Sequence, residues 1–318
     1  MNFDEERALA IVAHEAIVET RRRRRWQIFF RFFWMGYFLL MLLILLSLGG
    51  GDRDNAASGP GVRHIAVVPI QGLIAADSDA NADDIIRSLE KAFKNPNAKA
   101  VFLDINSGGG SPVQSGEIYR AVMRLKGERK LPVYAVIADA GASGAYFIAA
   151  SADEIYADPA SIVGSIGVIS QNFGYRELLG KLGLDPRTFT AGEHKNFLAG
   201  DQPLKPEEVA HMQGLLDNIH QQFIKAVRDG RGSRLKETPE MFSGLFWTGE
   251  QALPLGLIDA LGDKNTLRDA KYKDLKMIEY KRDRNAFERL LRDVGSETSA
   301  SLRRALDFSE QVNPMQLK

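Results

Sequence analysis

The chain is predicted to fold as a layered α/β domain with a largely parallel sheet, preceded by one transmembrane helix. Three observations predict this. Between Ile65 and Ile169, near-continuous apolar runs of strand length alternate with longer runs that repeat their apolar residues at helical spacing. Small, glycine-rich turns follow two of those apolar runs, at 105–110 and 138–144. Ahead of them, Phe32 to Gly51 carries no charge, and about 20 apolar residues span the ~30 Å hydrocarbon core of a bilayer.

Taken in order, residues 1–25 are polar and charged and read as a cytoplasmic segment, ending in the basic run Arg21 to Arg25. Residues 26–48 read as an uncleaved signal anchor, with Trp26 and Trp34 suited to the interface. The arginines place the N-terminus in the cytoplasm and the rest of the chain on the outer side of the cytoplasmic membrane. A cleavable signal peptide is the rival reading. The run is longer than an ordinary h-region of about 7–15 residues, and Leu48-Gly49-Gly50-Gly51 is a poor cleavage site.

Residues 49–62 form a glycine-rich flexible linker, and 63–280 the main domain. Within it, strands are expected at Ile65–Ile74, Ala100–Ile105, Val133–Ala138, Ile155–Ala157, Ile162–Ile169 and Met277–Tyr280. Helices are expected at Ala82–Phe93, Val113–Leu125, Ser143–Ala152, Tyr175–Leu182 and Glu207–Arg228, with a helix-then-strand unit over Phe246–Leu261. Residues 281–318 are a charged tail.

Composition narrows the chemistry. The 318 residues include no cysteine, which excludes thiol catalysis, disulfides and thiolate metal sites. Five histidines show no close ligand pairing, so no metal or other cofactor is expected. Lys plus Arg equals Asp plus Glu at 41 each, which gives no global attraction to nucleic acid.

The chemistry is expected at the turns. In Ala140-Gly141-Ala142-Ser143-Gly144, an apolar strand meets a helix start, where free N–H groups favour developing negative charge. Ser143 is a candidate nucleophile there, against the plainer reading of a helix cap. The run Asn106-Ser107-Gly108-Gly109-Gly110-Ser111 can aim backbone N–H groups at an anion but lacks the spacing of a nucleotide loop. A serine nucleophile needs a base. His194 and Lys195, adjacent in Gly192-Glu193-His194-Lys195-Asn196, are the candidates, and a lysine base requires a dry pocket.

The motifs INSGGG, ASGAYFIAASADEIYADPASIVGSIGVI, GEHKN and WTGEQALPLGLID occur in that order. Over about residues 63–280 the chain resembles the signal peptide peptidase A family, serine peptidases of the Clp-protease/crotonase superfold. The resemblance implies Ser143 as nucleophile and Lys195 as general base, at the family's spacing. It implies Ser165 as the hydroxyl that orients the lysine, and Gly109 and Gly144 as oxyanion donors. Clp protease uses a histidine shortly after its serine; Ile162 to Ser170 contains none, which favours Lys195 over His194. The family loop usually reads NSPGG. Here Gly108 replaces the proline, which leaves open whether Gly109 or Gly110 points into the hole, and Asn196 stands where the family usually has aspartate.

The resemblance further implies peptide substrates, namely released signal peptides or other short apolar segments at the membrane. It also implies a homo-oligomeric ring or dome in which one site takes serine and lysine from neighbouring protomers. Two other readings share the superfold: a catalytically impaired scaffold that only binds peptides, and an acyl-CoA-handling enzyme. The outward topology and the serine-lysine pair disfavour the latter.

Overall fold

The structure, a computed structural model, describes residues 24–44 and 61–281. Most of the expected N-terminal segment, most of the linker and all but the first residue of the tail lie outside the described residues, as does the end of the expected anchor. Two units are described. The first contains helix α1 (Arg24–Ile44), exposed along its length and long and apolar enough to cross a membrane.

The second unit holds the α/β domain. Its elements are β1 (His64–Gln71), α2 (Ala82–Lys94), β2 (Ala98–Ser107), α3 (Pro112–Glu128), β3 (Val133–Ala142) and α4 (Gly144–Ala149). There follow β4 (Glu154–Ala157), β5 (Ile162–Gly164), α5 (Arg176–Lys181) and α6 (Pro206–Arg231). The last are β6 (Phe246–Thr248), α7 (Gly249–Ala252), β7 (Ala260–Leu261), α8 (Lys264–Lys271) and β8 (Lys276–Glu279). The eight-stranded sheet runs β6-β5-β3-β2-β1-β8, with β4 and β7 continuing from the first half of β3. All pairings are parallel except β5–β6.

Strand alternation sorts the core onto two faces. Ala66, Val68, Ile70, Val101, Leu103 and Ile105 point to the side covered by α2, α3, α4 and α6, while Ile65, Val67, Phe102, Tyr134 and Val136 pack against Leu267 of α8. Pro69 is tolerated inside β1 because β8 pairs only with His64–Val67. Helix starts carry the caps their sequences offer: the Asn81 side chain accepts from the Asp84 N–H at 2.9 Å, and Ser111 precedes Pro112.

The structure differs from the sequence expectations in four places. β3 runs on to Ala142, because its last residues gain a second partner, Ala140–Ala142 pairing with Ile162–Gly164. α4 is correspondingly short. The strand expected over Ile162–Ile169 ends at Gly164, where positive φ at Gly164 (100°) and Ser165 (50°) turns the chain and the Ser165 N–H donates to Leu245 at 2.8 Å. The unit Phe246–Leu261 begins as a strand, antiparallel to β5, before α7 and β7. Helix α8 was not expected; Asp263 caps it by accepting from Thr266 N–H at 2.7 Å.

Long-range polar contacts hold α4 in place. The buried Tyr146 hydroxyl donates to the Leu257 carbonyl at 2.7 Å, and burial pushes its phenol well above the ordinary range, so it stays a donor. Nearby, the fully buried Arg231 forms a fork onto Asp259, Nη1 to Oδ2 at 2.7 Å and Nη2 to Oδ1 at 2.9 Å, and its Nε donates to Gly256. Asp259 also accepts from the Ile155 N–H of β4 at 2.7 Å.

Candidate active site

Ser143 occupies the single residue between β3 and α4. Its φ of 53° and ψ of −125° belong to a conformation that side chains rarely adopt. The turn is held on both sides, because the Ser143 N–H donates to Gly164 at 2.8 Å and its carbonyl accepts from Phe147 N–H at 3.0 Å. The effect is to lift a half-buried side chain off the end of the sheet, as a nucleophile elbow does. Non-glycine residues with positive φ among the described residues are Ser143, Ser165 and Leu198, so two of the three are expected site residues.

The glycine loop packs directly on this turn. A Cβ at Gly109 (φ 104°) would lie 2.7 Å from both Gly144 N and Ser143 Cβ. On its other side the loop is stitched to Ile74, whose N–H donates to Gly109 O at 3.0 Å and whose carbonyl accepts from Ser111 N–H at 2.8 Å. These bonds leave the Gly110 N–H unused. The Gly109 N–H is buried and donates to Ser107 Oγ at 3.1 Å. Among the described residues the Gly110 and Gly144 N–H groups have no hydrogen-bond partner. Gly109→Ala is expected to push the Ser143 turn aside and slow labelling of Ser143 by a fluorophosphonate on the order of 10²-fold.

Beside Ser143 and these two amides lies a cleft of about 90 Å³, bounded by Phe147 of α4, Ile219 and Phe223 of α6, and Gly167–Ile169. Its walls are apolar. Phe147 and Phe223 meet at a tilt with ring centroids 4.9 Å apart, and Tyr119 meets Phe147 edge-on at 5.4 Å. Tyr119 donates to the Ala226 carbonyl at 3.3 Å; burial first, and the Asp229 charge second, raise its phenol and keep it protonated. His220, also on α6, is 3.1 Å from the Ile166 carbonyl and so ties the strap after Ser165 to the same helix.

The chain thus brings together Ser143, Gly144, Gly109 and Gly110, with Ser165 one residue beyond the Gly164 carbonyl that holds Ser143. It does not join Lys195 to them. Lys195 is exposed in a turn closed by its own N–H to Gly192 O at 3.1 Å, and among the described residues its side chain makes no hydrogen bond or ion pair. His194 is exposed as well. Sequence reasoning missed the cleft walls and Ser115. Ser115 falls on the α3 face of Ile118 and Val122, so a serine in an apolar stripe was the available signal.

Comparison with known proteins gives the family. The sequence model of peptidase family S49 matches residues 126–278. A Synechocystis sp. protein with the provisional name of protease is 34% identical over 206 residues, covering 65% of this chain and 72% of that protein. An Enterococcus faecium protein provisionally named signal peptide peptidase SppA is 28% identical over 277 residues, 80% of each chain. The Na(+)/H(+) antiporter NhaA of Brucella abortus is 48% identical over 197 residues, 61% of this chain; this chain spans 27% of that protein's length. By the extent of these matches, the chain belongs to peptidase family S49.

Proposed function

We propose that this protein is a membrane-anchored serine endopeptidase with a Ser143–Lys195 dyad. The observation that carries the reading is the strained Ser143 turn facing two unpartnered amides, those of Gly110 and Gly144. Neutral Lys195 removes the Ser143 proton, Ser143 Oγ attacks a peptide carbonyl, and the oxyanion rests on the two N–H groups. Water then resolves the acyl-enzyme with Lys195 again as base. Gly110 supplies the second donor rather than Gly109, whose N–H is taken by Ser107 Oγ. Ser165, strained beside Ser143, orients the lysine.

The apolar cleft suits small apolar side chains of extended peptides, such as released signal peptides. Helix α1 anchors the chain, and Arg21 to Arg25 place the catalytic domain on the outer side of the cytoplasmic membrane.

The site is completed by a second copy. A lysine amine serves as base only where water is excluded, and Lys195 is exposed in the single chain. It rides on a surface segment with apolar side chains bared to solvent, Ile169 at 86% and Phe189 at 93%. Packing that segment on a neighbour buries both the apolar side chains and the lysine. A head-to-tail contact of this kind closes into a ring.

Fluorophosphonate treatment of the full-length protein in detergent tests the nucleophile. The expected result is a single adduct mapped to Ser143. Absence of that adduct in folded, oligomeric protein leaves only a peptide-binding scaffold.

A further inference from the structure

Ser115 lies in the first turn of α3, its N–H closing on Ser111 O at 3.0 Å. The residue is fully buried at 0% exposure. Among the described residues, Ser115 Oγ is the one buried side-chain nitrogen or oxygen with no hydrogen-bond partner in the protein. A helical serine ordinarily returns its proton to a carbonyl one turn back, and this one does not. An unmatched buried hydroxyl is unfavourable, and alanine at the same place would be the better helix former.

What the hydroxyl faces accounts for it. A Cβ at Gly144 would run into Ser115 Oγ, and the same point lies 3.2 Å from Gly110 N. The hydroxyl therefore packs against Gly144, in the same corner as the Gly110 amide. It also explains why residue 144 is glycine: any side chain there would displace Ser115.

We propose that Ser115 is a positioning residue of the oxyanion hole. This rests on Ser143 being the nucleophile. The hydroxyl wedges the Gly110 and Gly144 amides at the spacing an oxyanion needs. Its O–H dipole, claimed by no acceptor in the resting enzyme, turns at little cost toward the charge that develops in front of those amides. It is a contribution made in the transition state and absent from substrate binding.

The test is Ser115→Ala in the full-length protein, with Ser143→Ala alongside. Expected for Ser115→Ala is a kcat lowered roughly 10-fold, less than the ~10²–10³ of deleting a donor itself, with KM unchanged. The inhibition constant of a peptide aldehyde, whose adduct carries the oxyanion, rises by the same factor. The melting temperature holds or rises, since the unmatched hydroxyl is gone. Wild-type kcat and aldehyde affinity in Ser115→Ala, with Ser143→Ala inactive, overturn the Ser115 proposal alone. So does a kcat that falls together with the melting temperature, which marks a structural role. Activity persisting in Ser143→Ala overturns instead the nucleophile on which the proposal rests.

Discussion

Ser143→Ala and Lys195→Ala are each expected to abolish peptide cleavage, and co-expressing the two is expected to restore part of it. The first substitution removes the proposed nucleophile while leaving the turn's hydrogen bonds, all of them made by backbone atoms, in place. Loss of at least ~10³-fold is expected, with the circular dichroism spectrum unchanged. The second removes the proposed general base, and such a base is worth about 10²–10⁴-fold. Neither side chain anchors the fold, because Ser143 Oγ and Lys195 Nζ make no hydrogen bond among the described residues.

The mixture separates two architectures. If one chain supplies both groups, every site in a mixed oligomer lacks one of them and activity stays absent. If a site takes Ser143 from one copy and Lys195 from the next, about one quarter of the sites in a random ring are complete. No recovery in oligomers shown by mass to contain both chains rules out the shared site.

Asp259→Ala has the largest expected effect on stability. It leaves the Arg231 guanidinium, whose side chain is 0% exposed, without its counter-charge and deprives the Ile155 N–H of its acceptor. Breaking a buried pair from one side costs about 3–5 kcal/mol, or roughly 10 °C in melting temperature for a domain of this size. Activity falls with it at elevated temperature, because Leu257 and Gly256, which hold Tyr146 and Arg231, lie in the same segment as Asp259.

The pair also sets a pH dependence. Burial by itself raises the Asp259 carboxyl, but the Arg231 hydrogen bonds and charge outweigh it and hold the group below its ordinary value of 3.8. A carboxylate with a depressed folded value stabilises the fold above its unfolded value, and that contribution is lost as pH falls through the folded one. The stability gap between the wild type and Asp259→Asn is therefore expected to narrow below about pH 4, and urea titrations at stepped pH measure it. A gap that widens on acidification contradicts the pairing.

Much of the fold was legible in the sequence because its signals are local. The apolar runs around Ile65, Val101 and Val133 and the helical repeat of Glu207–Arg228 each lie within a short window. What went astray was decided by distant partners. Ala138–Ala142 has little strand propensity, yet it is a strand because β5 lies beside it. Ile162–Ile169 looks like one strand, yet Leu245 draws off the Ser165 N–H and bends it at Gly164.

The candidate site divides along the same line. By itself the sequence determined the residue types and their places at strand ends: Ser143 before Gly144, a glycine run at 108–110, and a lysine far downstream. Only the tertiary structure decided what each of them does with its hydrogen bonds. It showed that Ser107 occupies the Gly109 N–H and leaves that of Gly110 free, and that Ser115 stands unmatched against Gly144. It also left Lys195 exposed. The physical reason is one of range: hydrophobic periodicity is written into neighbouring residues, whereas the free or engaged state of an amide depends on a partner brought in from another element.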